Sequence, residues 1–126
     1  MSNLSQPVQD LIRRNIDSVD TLELLLLLRR SPDSYWSADA AEQHLGLRQG
    51  AAKQRLDALV AGSLARRGSE TGAYRYAAVD EQMRESVDQL ADPYANQRVS
   101  VINLIYSSNL DRLRAFSNAF RLKDES

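Results

Sequence analysis

The chain has no cysteine, one histidine, three prolines and two phenylalanines among its 126 residues. Without cysteine there is no disulfide framework, no thiolate nucleophile and no cysteine metal site, and nothing points to an oxidising compartment. His44 is the single candidate base, and no nucleophile or metal-ligand motif accompanies it. Catalysis is therefore not expected, nor is a cofactor or a metal. The longest leucine run, Leu24 to Leu28, is far too short to span a bilayer. Residues 1–7 lack the charged and apolar regions of a signal peptide, so a soluble, cytoplasmic protein is expected. An excess of charge of either sign is missing too. A formal net charge of −1 argues weakly against nucleic acid, whose binding rests on neutralising phosphates.

The positive charge that is present is concentrated. Residues 48–76 hold six basic side chains against two acidic ones, a local balance of +4. The strongest structural signals fall in the same part of the chain. Ser37 is suited to cap a helix over residues 38–45, which Gly46-Leu47 then breaks. A second helix is expected over residues 49–61, with Ala52, Leu56, Leu59 and Val60 on one side of a 3.6-residue wheel. Gly62 is suited to end it through a left-handed conformation. Residues 64–67 and 73–76 read as two short strands, separated by Gly68-Ser69-Glu70-Thr71-Gly72, the composition of a five-residue hairpin loop. That loop lacks the Lys-Ser/Thr and the helix of a phosphate loop. Tyr35-Trp36 would form a short first strand.

Two short helices followed by a hairpin make the order of a winged helix-turn-helix. Here the chain resembles the bacterial winged helix-turn-helix transcription regulators, the multiple-antibiotic-resistance repressor type included. The resemblance is carried by Trp36-Ser37-Ala38-Asp39, Leu45-Gly46-Leu47, Leu56-Asp57-Ala58-Leu59 and Leu64-Ala65-Arg66-Arg67, and covers roughly residues 19–78. The commonest form of the pattern ends the second helix with Gly directly before the strand leucine. In this chain Gly62 comes one residue early and Ser63 holds that place. The resemblance implies a mainly α protein with a small antiparallel hairpin, and a regulator that binds double-stranded DNA.

Outside this segment the pattern is helical. Pro7 suits the first turn of a helix to about Asn15, with Val8, Leu11 and Ile12 as its apolar stripe. A helix over residues 19–30, capped by Ser18 and apolar nearly all round, should be buried on several sides. Three C-terminal helices are expected. The first carries Val79, Met83, Val87 and Leu90, the second spans residues 93–107, and the third spans residues 109–122. The run at 98–106 has strand propensity, but Val101, Ile102 and Ile105 align better on a helix. The organisation expected is an N-terminal helical arm (1–18), a winged domain (19–78) and a C-terminal helical dimerisation region (79–126). Val101, Ile102, Ile105, Leu113, Phe116 and Phe120 would pair two copies, since one winged core cannot cover all of these faces.

On the second helix, Gln54 is the best base-reading candidate, because its amide can both donate to and accept from adenine. Gln49 comes second, and Lys53 flanks the same face. Arg55, Arg66, Arg67 and Arg75 would mainly hold phosphates. Trp36, Tyr74 and Tyr76 fit core packing better than a stacking platform. The alternative reading keeps the fold but assigns it to docking another protein, without DNA. It is favoured by the near-neutral charge and by the alanines on the presumed reading face.

Overall fold

A computed structural model of the chain describes residues 4–68 and 72–125, and the side chains of these except at 112 and 115–125. The described part is mainly helical, with one small antiparallel sheet. In order it contains α1 (Gln6–Asn15), α2 (Val19–Arg30), α3 (Ala38–Leu45), α4 (Ala52–Ala61), β1 (Ala65–Arg67), β2 (Tyr74–Tyr76), α5 (Glu81–Asn96) and α6 (Arg98–Glu125).

The centre is α2, and its sequence explains why. The Ser18 hydroxyl accepts the Thr21 backbone N–H at 3.1 Å and starts the helix, while Arg29 and Arg30 sit in its last turn. Leu22 and all five residues from Leu24 to Leu28 are buried. Each such leucine contributes about 1.5–3 kcal/mol on burial. On one side α2 packs against α3, α4 and β2, whereas α1, α5 and α6 pack on one another. A single contiguous core joins both groups, running from Ile12 and Ile16 through α2 to Leu56, Val87, Val101 and Ile105.

Polar contacts fasten the C-terminal helices to the N-terminal half of the same chain. Glu23 accepts from the Tyr94 hydroxyl at 3.0 Å and from Arg98 Nη2 at 3.2 Å. Arg29 pairs with Asp88 at 2.8 Å, and Asn109 Nδ2 donates to the Asp17 carbonyl at 2.8 Å. The C-terminal region is thus part of its own subunit's core.

In the sheet, Ala65, Arg66 and Arg67 pair with Tyr76, Arg75 and Tyr74. The expected first strand reduces to one bridge, Trp36 to Tyr74, whose two backbone bonds measure 2.7 and 2.8 Å. Tyr74 is buried, and Trp36 and Tyr76 are partly buried against the core, so packing accounts for all three aromatics.

Each strand starts one residue later than the sequence reading places it, and α5 starts at Glu81, leaving Val79 outside it and exposed. Four further boundaries differ. First, α4 begins at Ala52 rather than at residue 49, because Gly50 takes a positive φ of 86° and holds Gln49 and Gly50 in a turn. Second, Gly62 has an ordinary φ of −85°, and Ser63 takes the left-handed one at 65°. The bonds from Ser63 N–H to Val60 O (3.1 Å) and Leu64 N–H to Leu59 O (2.9 Å) form a Schellman motif with Ser63 in the place usually held by glycine. A Cβ at Gly62 would displace the end of the Asn15 side chain. Third, α5 continues through Pro93 to Asn96. The bond Pro93 cannot donate is offset by packing of Ala91 and Tyr94 on the core and by the Tyr94 bond to Glu23. Fourth, α6 runs unbroken across residues 107–109, where Ser108 is buried and Asn109 is tied to Asp17. The C-terminal region therefore holds two helices, not three.

Candidate nucleic-acid interface

The α3–α4 unit is built by caps. Ser37 Oγ accepts the Ala40 N–H at 3.1 Å. Gly46, at φ 70°, turns the chain out of α3, and the Leu47 N–H closes onto the Glu42 carbonyl at 2.9 Å. The residue before α4, Ala51, has no side chain able to cap. Glu42 supplies that function from the neighbouring helix: its buried carboxylate accepts the Ala52 N–H at 2.8 Å. A carboxylate at a helix N-terminus meets both an orphan donor and the positive end of the dipole. Sequence reading missed this residue, because only the fold brings it to α4.

With Ala52, Leu56 and Leu59 buried against the core, α4 turns Lys53, Gln54, Ala58 and Ala61 to solvent. Arg48 and Gln49 are exposed in the preceding turn. Asp57 is the one acid of α4, and it is already engaged. Its carboxylate accepts from the Tyr74 hydroxyl at 2.5 Å, lies 3.1 Å from Lys53 Nζ and 3.9 Å from Arg67. The hydrogen bond from Tyr74, then that from Lys53, hold its pKa below the usual carboxylate value. Burial pushes the Tyr74 phenol up, as does its bond to Asp57. Arg67 also stacks on the Tyr74 ring, 5.6 Å from its centroid.

The basic residues expected to act together divide into four groups. Lys53, with Gln49 and Gln54, stays on the solvent face. Arg55 turns inward instead, donating to the Ala51 carbonyl at 2.7 Å and to Ser18 Oγ at 3.3 Å, so it fastens α4 to the start of α2. Arg67 is bound to Asp57 at the hairpin. Arg66 and Arg75 are cross-strand partners that line a separate cavity with the end of α2 and with α5. His44, in the last turn of α3, meets Trp36 edge to face at 5.2 Å between ring centroids. No group of three or more His, Cys, Asp or Glu able to hold a metal occurs among the described residues. No helix among them is long and apolar enough to cross a membrane.

Of the residues expected to pair two copies, Val101 and Ile105 are buried inside their own chain, and Ile102 is half-buried. Leu113 is exposed, and the side chains of Phe116 and Phe120 lie outside the described residues. The exposed apolar face of α6 is instead Val99, Tyr106, Leu110 and Leu113. Compared with protein-family models, with curated proteins and with solved structures, the chain matches none.

Proposed function

We propose that residues 37–76 form a winged helix-turn-helix that binds duplex DNA sequence-specifically, and that the protein is a homodimeric transcription regulator. The observation that carries this reading is the solvent face of α4 and its entry turn. Arg48, Gln49, Lys53 and Gln54 are exposed there, while Asp57, the acid that would repel phosphate, accepts from the Tyr74 hydroxyl and lies between Lys53 and Arg67. In this reading α4 enters the major groove. Gln54 reads a base edge, Gln49 and Lys53 assist from the first turn, and Arg48 with Arg67 on the hairpin hold phosphates. A second copy, joined through α6, presents a second α4 to the next half-site.

The second reading, a module that docks a protein, is favoured by exposed Ala58 and Ala61 on the same face. Selection from randomised duplexes, followed by titration of the winner at two salt concentrations, separates the two. DNA binding is expected with a log–log salt slope of about −2 per subunit, from the two phosphate contacts of Arg48 and Arg67. Gln54→Ala should cost about 1–3 kcal/mol of discrimination at one base pair. Folded protein that binds no duplex at low salt would leave the protein-docking reading.

A further inference from the structure

Away from α4, the end of α2, the hairpin and α5 line an open cavity of about 750 Å³. Five arginines line it: Arg29, Arg30, Arg66, Arg75 and Arg84. Two aspartates, Asp33 and Asp88, oppose them. Among the described residues only Arg29 of the five has a carboxylate partner, Asp88. Arg30 Nε donates to the Leu26 carbonyl at 3.4 Å, and the Arg75 guanidinium lies 5.7 Å from the centroid of the Tyr35 ring. The wall is therefore strongly positive and mostly uncompensated. Concave, low-dielectric surroundings focus such a field on whatever enters.

A second observation points the same way. Arg75 Nε and the Tyr76 hydroxyl are buried with no hydrogen-bond partner among the described residues, and both residues line this cavity. A guanidinium N–H can only donate, and a phenol donates readily. Buried donors left unpaired are costly, so a small shift of these two side chains towards an acceptor held in the cavity is favoured. Phosphate and carboxylate are the acceptors that guanidinium forks fit through paired N–H bonds, and phosphate brings more charge per group.

Size and charge narrow the ligand further. The volume falls in the range of small-molecule pockets, about 300–1,000 Å³, and is too large for a lone phosphate. The lining arginines outnumber the aspartates by three, five against two, which calls for more than one phosphate. Asp33 and Asp88 can accept hydrogen bonds from hydroxyl or amino groups. We propose that this cavity binds a small ligand carrying two or more phosphates together with hydroxyl or amino donors, a nucleoside polyphosphate by class, with Arg75 and Tyr76 donating to its phosphate oxygens. Arg30, Arg66 and Arg84 supply the remaining positive charge, and Arg29 with Asp88 forms the fixed edge. A DNA backbone is the poorer occupant, since the two aspartates would face a surface that offers only phosphate and sugar.

The site stands or falls separately from DNA recognition by α4. Calorimetric titration of the intact chain with sodium tripolyphosphate and with adenosine triphosphate, both free of magnesium, tests it. Both probes should bind with Kd below about 1 mM, an affinity easily read by calorimetry. Tyr76→Phe, which keeps the ring, and Arg84→Gln, at an exposed position, should each weaken binding about tenfold or more. Lys53→Gln should leave it unchanged. Absence of heat with either probe at millimolar concentration overturns the proposal, as does binding indifferent to both Tyr76→Phe and Arg84→Gln. A duplex that displaces tripolyphosphate and loses affinity in Tyr76→Phe also overturns it, by assigning the cavity to the DNA backbone.

Discussion

The buried carboxylate of Glu42 in α3 accepts the first backbone N–H of α4, that of Ala52, at 2.8 Å. Residues ten apart in sequence thereby fix two consecutive helices to each other through one charge-assisted bond, which sets how α4 leaves the turn. Glu42→Ala would leave that N–H buried without its partner. Loss of a hydrogen bond to a charged group costs about 1.5–3 kcal/mol. Glu42→Gln keeps an acceptor oxygen without the charge and should recover part of the loss. Urea unfolding of the three proteins checks the order, and an alanine variant as stable as the parent would show that the bond contributes nothing.

Ser63 pays a conformational cost that glycine would not. It holds φ 65° at the end of α4, where L-residues are disfavoured by about 1–2 kcal/mol. Ser63→Gly should therefore stabilise the fold, by about 0.5–1 kcal/mol after the greater freedom of glycine in the unfolded chain is subtracted. The adjacent Gly62→Ala should change stability less, because its φ of −85° suits alanine and its Cβ meets only the movable end of the Asn15 side chain. Thermal unfolding of both variants measures the difference. If Ser63→Gly lowered the midpoint, strain at this turn would not be the controlling term.

What the sequence disclosed and what it hid follow a physical division. Ser18, Ser37 and Gly46 were legible because a cap acts within four residues of itself, and the bounds of α2 and α3 follow from them. Gly62 was legible as a turn signal, but not that Ser63 would be the residue to turn left-handed, since that is set by where the last bonds to Val60 and Leu59 close. Arg55 looked like any solvent-facing cation until the fold placed Ser18 beside it. Val101 and Ile105 show the same limit from the apolar side. A helix with apolar residues on two faces does not reveal which face its own chain will cover.

Asp57 predicts a pH dependence with a definite sign. Its folded pKa is lowered, chiefly by the Tyr74 hydrogen bond and next by that of Lys53, so it stabilises the fold fully above its unfolded pKa of about 3.9. That contribution is lost as pH falls through the lower, folded value. Asp57→Asn should be less stable than the parent at pH 7, and the gap should close as pH falls from about 5 towards 3. Urea midpoints across this window report it directly. A gap that stayed constant with pH would mean that the asparagine is destabilising by shape rather than by charge.

The outer face of α6 carries Val99, Tyr106, Leu110 and Leu113, exposed by 72, 62, 54 and 61%. Their spacings of seven, four and three place them in one narrow strip, opposite the buried Val101, Ile105 and Ser108. The helix has 28 residues, about 42 Å at 1.5 Å per residue, so this face is long enough to meet another helix over several turns. A contiguous apolar strip of that kind is costly to leave in water and is expected to pair with a second copy. Because these side chains are outside the subunit core, Tyr106→Asp with Leu113→Asp should abolish the dimer while leaving the unfolding midpoint of the monomer almost unchanged. Ile105→Ala should behave in the reverse way, costing about 2–5 kcal/mol of subunit stability through the cavity it opens. Sedimentation of the intact chain at tens of micromolar is the controlling measurement. A monomer there would falsify the homodimer, and with it the expectation that two α4 helices reach paired half-sites about one helical turn apart.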